Sequence, residues 1–208
     1  MKISVLGIGN LLWADEGFGV RCVELLARRH AFRDTVQVLD GGTLGLYLLP
    51  CVQEADALLI FDAIDYGLEP GTLKVVRDDE VPRFMGAKKM SLHQTGFQEV
   101  LQLAQFTGSY PSHVTLIGCQ PEELEDYGGS LRAVVKAALK PALALGIAEL
   151  RAWGAAVEDK APFDEESVAF GGLAMNVYES GRPSAADACR SGDERVLCTL
   201  PATGLPRV

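Results

Sequence analysis

The sequence predicts an α/β fold of three layers: a twisted, mostly parallel sheet of about five strands flanked by helices on both faces. Three observations predict it. Short apolar runs rich in Val, Ile and Leu alternate along the chain with longer segments of helical period. The run Ala57-Leu58-Leu59-Ile60-Phe61 is apolar throughout, as a strand buried on both faces must be. A glycine-rich turn, Gly7-Ile8-Gly9-Asn10, joins the first apolar run to the first helical one, at the sheet edge where open α/β folds bind ligands.

The elements follow in order. Lys2 to Leu6 reads as the first strand, and Val20, Val23, Leu26 and Ala27 recur at helical spacing with Arg21, Glu24 and Arg28 between them. Val36 to Asp40 is a second strand, ended by Gly41-Gly42, and Leu44 to Val52 a short helix. The third strand, 57–61, stops at Asp62. Pro70-Gly71 makes a turn, and Thr72 to Val76 alternates weakly, as an edge strand does. Ser91 to Gly96 reads as a polar loop before a helix marked by Phe97, Val100, Leu101 and Ala104. His113 to Gly118 is a further strand. From Leu131, apolar residues at 134, 135, 138, 139, 142 and 143 mark a long helix ending near Trp153-Gly154, which Pro141 is expected to kink or divide.

These elements make one domain, residues 1–154. Over residues 155–208 the hydrophobic period fades. Four of the ten prolines gather there, with nine acidic and five basic side chains. This segment reads as a solvated tail with a short helix around Leu173 to Tyr178, dispensable for the chemistry.

Composition narrows the function. A chain of 208 residues, 48% hydrophobic, buries one sizeable core. A formal charge of −9, with Lys88-Lys89 the only adjacent lysine pair, argues against a nucleic-acid partner. No apolar run is long enough to span a bilayer, and the residues before Asn10 do not read as a signal peptide, so no membrane is expected. Five cysteines without a Cys-x-x-Cys argue against a disulfide framework or zinc ribbon. Cys22, Cys51 and Cys119 read as core thiols in a reducing cytoplasm.

Three acidic residues follow or end strands. Glu16 comes after the first, Asp40 ends the second and Asp62 ends the third, so all three fall on one edge of a parallel sheet. His93 lies in the loop before the next helix. Carboxylates and an imidazole together suit a borderline divalent ion such as nickel or zinc. Structural roles compete: a helix cap for Asp15 and Glu16, an Asx turn for Asp40, a turn-holding carboxylate for Asp62 and a capping imidazole for His93. Spacing alone leaves these alternatives open. His30, ending a helix, and His113, beginning a strand, read as structural. Gly7-x-Gly9 opens like a dinucleotide fingerprint, but its third glycine position holds Leu12. Neither H-E-x-x-H nor G-x-S-x-G is present.

Gly7-Ile8-Gly9-Asn10, Asp15-Glu16-Gly17-Phe18-Gly19, Asp40-Gly41-Gly42-Thr43, Asp62-Ala63 with Pro70-Gly71, and Ser91-Leu92-His93-Gln94 together resemble the nickel-iron hydrogenase maturation endopeptidases. Gly118-Cys119-Gln120-Pro121 before an acidic run is similar too. The resemblance covers residues 1 to about 153 and is closest to members serving uptake hydrogenases. It implies a metal-dependent endopeptidase that trims the C-terminal extension of a hydrogenase large subunit precursor once nickel has been inserted. It implies Glu16, Asp62 and His93 as metal ligands, nickel supplied by the substrate, and an unsettled catalytic role for Asp40. The partner is the large subunit precursor, docked transiently by a monomer. A non-enzymatic metal-binding chaperone of the same assembly route is the competing expectation.

Overall fold

Strand residues sort between two buried faces with period two, and this alternation builds the layers. The structure, a computed structural model, describes residues 1–33, 35–82, 92–160 and 174–182. In β1 (Ile3–Ile8), Ile3 and Val5 pack into one apolar cluster, Leu6 and Ile8 into the other. In β4 (Ala57–Ala63), Leu59 and Phe61 join the first, Leu58 and Ile60 the second. The first cluster is closed by α1 (Phe18–Arg29) and α4 (Ala133–Ala152). The second is closed by α2 (Leu49–Gln53) and α3 (Leu92–Phe106). The three-layer architecture is thus the one the sequence predicts.

The remaining strands are β2 (His30–Phe32), β3 (Val36–Gly42), β5 (Leu73–Arg77), β6 (His113–Cys119) and β7 (Val157–Asp159). The main sheet has five strands in the order β3-β1-β4-β6-β5. β3, β1, β4 and β6 run parallel, and β5 lies antiparallel on the edge. The carboxyl ends of the parallel strands therefore share one edge. In register across it, Gly7 pairs with both Asp40 and Phe61, and Asp62 pairs with Gly118.

Three features differ from expectation. α3 begins at Leu92, so His93 sits in a first helical turn rather than a loop; position 91 lies outside the described residues. α4 runs through Pro141 undivided. Pro141 and Ala137, whose carbonyl loses its usual helical partner, are both exposed, so water can serve that oxygen. β2 and β7 pair antiparallel as a separate two-stranded ribbon. Three residues each are too short to show a period. Past Gly154, Ala174 is buried, and α5 (Met175–Gly181) follows, with Met175 packed on the first cluster.

Candidate active site

The carboxyl edge is shaped by close approach of backbone to backbone. A Cβ on Gly19, in the first turn of α1, would collide with the carbonyl oxygens of Phe61 and Ile8. Gly9 has φ +137°, and a Cβ there would strike the carbonyl of Glu16. The glycines thus let α1 and the 3-10 turn Ala14–Gly17 settle directly on β1 and β4. They are a packing device, which explains why the phosphate fingerprint is incomplete.

That turn carries Glu16 to the edge. Burial pushes its carboxyl up to about 7 from an ordinary 4.5. Asp62, near the end of β4, is 0% exposed. By alternation it shares the face of Leu58 and Ile60, which is the face α3 covers. His93, in the first turn of α3, belongs to the same face and the same edge; its side chain lies outside the described residues. The amino end of α3 is fixed there by Gly96, where a Cβ would stand 3.6 Å from the Gly45 Cα.

Asp40 shares the edge but not the face. It follows Val36 and Val38, which pack into the α1 cluster. The residue is exposed, on the face that α1 covers. Loss of water and then the charge of Glu24 push its pKa up, while the Gly42 backbone N–H and Arg21 pull it down. Arg21, itself buried, pairs with Glu24 at 2.9 Å. The bond from Gly42 is the Asx-turn role. The sheet stands between Asp40 and Asp62, two strands and about 10 Å apart. His30 and His113 lie elsewhere. His30 caps α1 with its Nδ1 2.9 Å from the Asp159 carboxylate, and His113 stacks on Trp153 at the opposite edge.

Sequence reading missed two supports of this edge. Gln120, buried after β6, accepts the backbone N–H groups of Tyr66 and Leu68 at 2.8 and 3.1 Å and donates to Asp65 at 3.0 Å. It thereby fixes the loop that follows Asp62. The Tyr66 hydroxyl fills the space a side chain at Gly118 would take, directly beside Asp62 in register. Burial, then the Asp62 charge, drives the Tyr66 phenol well above its ordinary value. The second support is Asp15, whose buried carboxylate accepts the backbone N–H groups of Glu122, Glu123 and Arg132. Gln120 stood in a motif without a role, and no sequence signal separates Asp15 from Glu16 beside it.

A desolvated Glu16 and a fully buried Asp62 on one edge suit a cation, which would neutralise charge that burial has made costly. With an imidazole they make a mixed O,O,N donor set of the kind borderline divalent ions accept.

Comparison with known proteins agrees with this architecture. The family described as "HycI: Hydrogenase maturation protease" matches residues 20–149. The hydrogenase expression/formation protein HoxM of Azotobacter vinelandii is 61% identical over 202 residues, 96% of each chain. HupD of Rhodobacter capsulatus, of the same description, is 60% identical over 194 residues, covering 93% of this chain and 92% of that protein. Among solved structures, the hydrogenase maturating endopeptidase HybD from E. coli is similar, with a TM-score of 0.73 and 43% identity over 77% of this chain and 98% of that one. The HybD match covers less of this chain than the HoxM match, 77% against 96%. With the family matched over most of the domain and relatives this close end to end, the chain belongs to the hydrogenase maturation proteases, a family of peptide hydrolases.

Proposed function

We propose that this endopeptidase removes the C-terminal extension of a nickel-iron hydrogenase large subunit precursor after nickel insertion, reading the inserted nickel through Glu16, Asp62 and His93. The observation that carries this reading is the buried Asp62 carboxylate at the sheet edge, on the face where α3 brings His93 and beside the turn that brings Glu16. Three protein donors leave coordination positions for a metal the substrate already holds, so the site is complete only with a nickel-loaded precursor. A divalent ion held by these residues would supply Lewis acidity to a neighbouring carbonyl. Hydrolysis then adds water to the scissile carbonyl carbon and passes a proton to the departing amine. The protein's part is to seat the metal-bearing segment and keep bulk water off it, for which the low-exposure edge is suited.

Exposed apolar side chains ring this edge. Leu12, Trp13 and Tyr127 stand on one side, and Leu46 and Tyr47 on the other. Such a rim fits a folded protein as substrate better than a free peptide. The enzyme works as a monomer that docks one large subunit at a time. Cys22, Cys51 and Cys119 are free thiols, in keeping with a cytoplasmic setting. No helix among the described residues is long and apolar enough to cross a membrane.

Purified protein mixed with nickel-loaded precursor is expected to yield a shortened large subunit, while nickel-free precursor stays intact. A stable complex without trimming would instead support the chaperone reading, and equal trimming of both precursors would remove nickel from the mechanism.

A further inference from the structure

A strained turn stands immediately before Glu16. Ala14 has φ +39°, the left-handed region that a residue with a Cβ enters at a cost. Such a conformation persists only where neighbouring contacts over-determine it. Here one side chain supplies three of them. The Asp15 carboxylate, 0% exposed, accepts the backbone N–H groups of Glu122 and Glu123 on Oδ2, each at 2.9 Å, and that of Arg132 on Oδ1 at 2.7 Å. Backbone bonds stitch the same two segments together: Ala14 N–H to the Gly129 carbonyl, Asp15 N–H to that of Glu123, and Gly128 N–H to that of Leu12. On its other side the turn is seated by the Asn10 N–H, which donates to the Glu16 carbonyl at 3.2 Å.

We propose that Asp15 is a positioning residue for Glu16: its buried carboxylate ties the 122–132 loop to the 14–17 turn, holds Ala14 left-handed, and so aims Glu16 at the metal. This rests on the reading of Glu16 as a ligand of the substrate's nickel. A carboxyl group whose two oxygens accept three N–H donors makes short bonds with defined directions, which is what a rigid placement needs. An amide cannot replace it. Asp15→Asn turns one accepting oxygen into an NH2 group facing N–H donors, leaving one or two of them without a partner.

The test uses the full chain, with nickel ion as the probe in titration calorimetry, well below the melting temperature of every variant. Wild type is expected to bind nickel, and Asp15→Asn to bind it about tenfold or more weakly, the scale on which supports of metal ligands act. Ala14→Gly alone should bind like wild type. The double variant Ala14→Gly with Asp15→Asn should regain part of the loss, because glycine takes a positive φ without the penalty. A merely structural Asp15 would lower the melting temperature and leave the affinity of the folded protein unchanged. That result, or a double variant no better than Asp15→Asn, overturns the proposal. If Asp15→Asn does not fold, Arg132→Pro removes one N–H donor at a residue already at φ −63°, and Arg132→Ala, which removes only the guanidinium bond to Asp126, is its control. The proline variant should weaken nickel binding severalfold relative to that control, and unchanged binding overturns the proposal. Absence of nickel binding by wild type would refute the metal reading itself, a failure distinct from wild-type affinity in the Asp15 variant.

Discussion

Gly19 illustrates how much one absent methyl group decides at this edge. The atoms its Cβ would strike are backbone carbonyls of β4 and β1, which no rotamer change can move aside. Gly19→Ala is therefore expected to lift α1 off the sheet and cost about 2–3 kcal/mol, or roughly 5–10 °C in Tm by calorimetry. The carboxylates separate by face. Asp62→Ala, Glu16→Ala and His93→Ala should each abolish trimming of the precursor while circular dichroism stays that of the fold, because few contacts share the metal. Asp40→Asn should leave nickel affinity of the isolated protein within about twofold of wild type, since Asp40 stands on the α1 face of the sheet and Asp62 on the other. A markedly weaker affinity in that variant would put Asp40 in the metal site.

At the scale of elements, α4 is tied to the antiparallel edge strand through Glu149. Arg77 on β5 grips it with two bonds, at 2.9 and 3.1 Å, and Thr115 on β6 donates a third at 2.9 Å. The Arg77 hydrogen bond is the largest cause holding the Glu149 carboxyl below its ordinary 4.5; the Thr115 bond and the charges of Arg77 and His113 also lower it, against burial, which raises it. A folded-state pKa below the unfolded one gives stability that is fully present above the unfolded value and is lost as pH falls through the folded one. Glu149→Gln should therefore lower Tm by about 2 °C near pH 7, given the exposure of Arg77. The deficit should shrink as pH falls below the ordinary 4.5 and through the lowered folded-state value. A constant deficit from pH 7 to pH 3 would show that packing, and not charge, is what the substitution removes.

At the scale of the whole molecule, described parts of the segment after Gly154 are fastened to the domain in two places. Asp159 pairs with His30 in register, and Lys160 bonds the Ala27 and Arg29 carbonyls at the end of α1. Farther on, Lys136 meets Glu179 at 2.8 Å, and Arg182 takes Asp126 with two bonds, at 2.8 and 3.0 Å. Asp126 belongs to the loop that Asp15 holds from the inside, so the tail braces the outer side of the same wall. A truncation ending at Gly154 is expected to fold and to trim its precursor, with Tm lower by roughly 5 °C for the loss of half-exposed ion pairs and a small apolar contact. A truncated protein that folds but cannot trim would assign the tail to the functional site.

The five strands of the main sheet, the parallel edge and the positions of Glu16, Asp40 and Asp62 on it could be read from the sequence alone. They depend on local periodicity and on the rule that parallel strands end together. The family motifs were legible because each is a short contiguous run, at a strand end or at the start of a helix. What tertiary structure decided is which of these residues meet. Asp40 and Asp62 differ by face because Asp40 is level with Gly7 and Phe61, so Asp62 stands one residue farther along and alternation turns it to the other side; that offset follows from pairing register, which no single strand encodes. The helix over Leu92–Phe106 begins before its apolar period does, so His93 reads locally as a loop residue. Asp15 looks like a helix cap beside Glu16. Its actual partners lie 107, 108 and 117 residues away, brought near only when β6 pairs with β4 and delivers the 122–132 loop to the glycine turn. A buried carboxylate is tolerable only with such partners, and because they are backbone groups of a distant loop, no reading of the sequence around it could supply them.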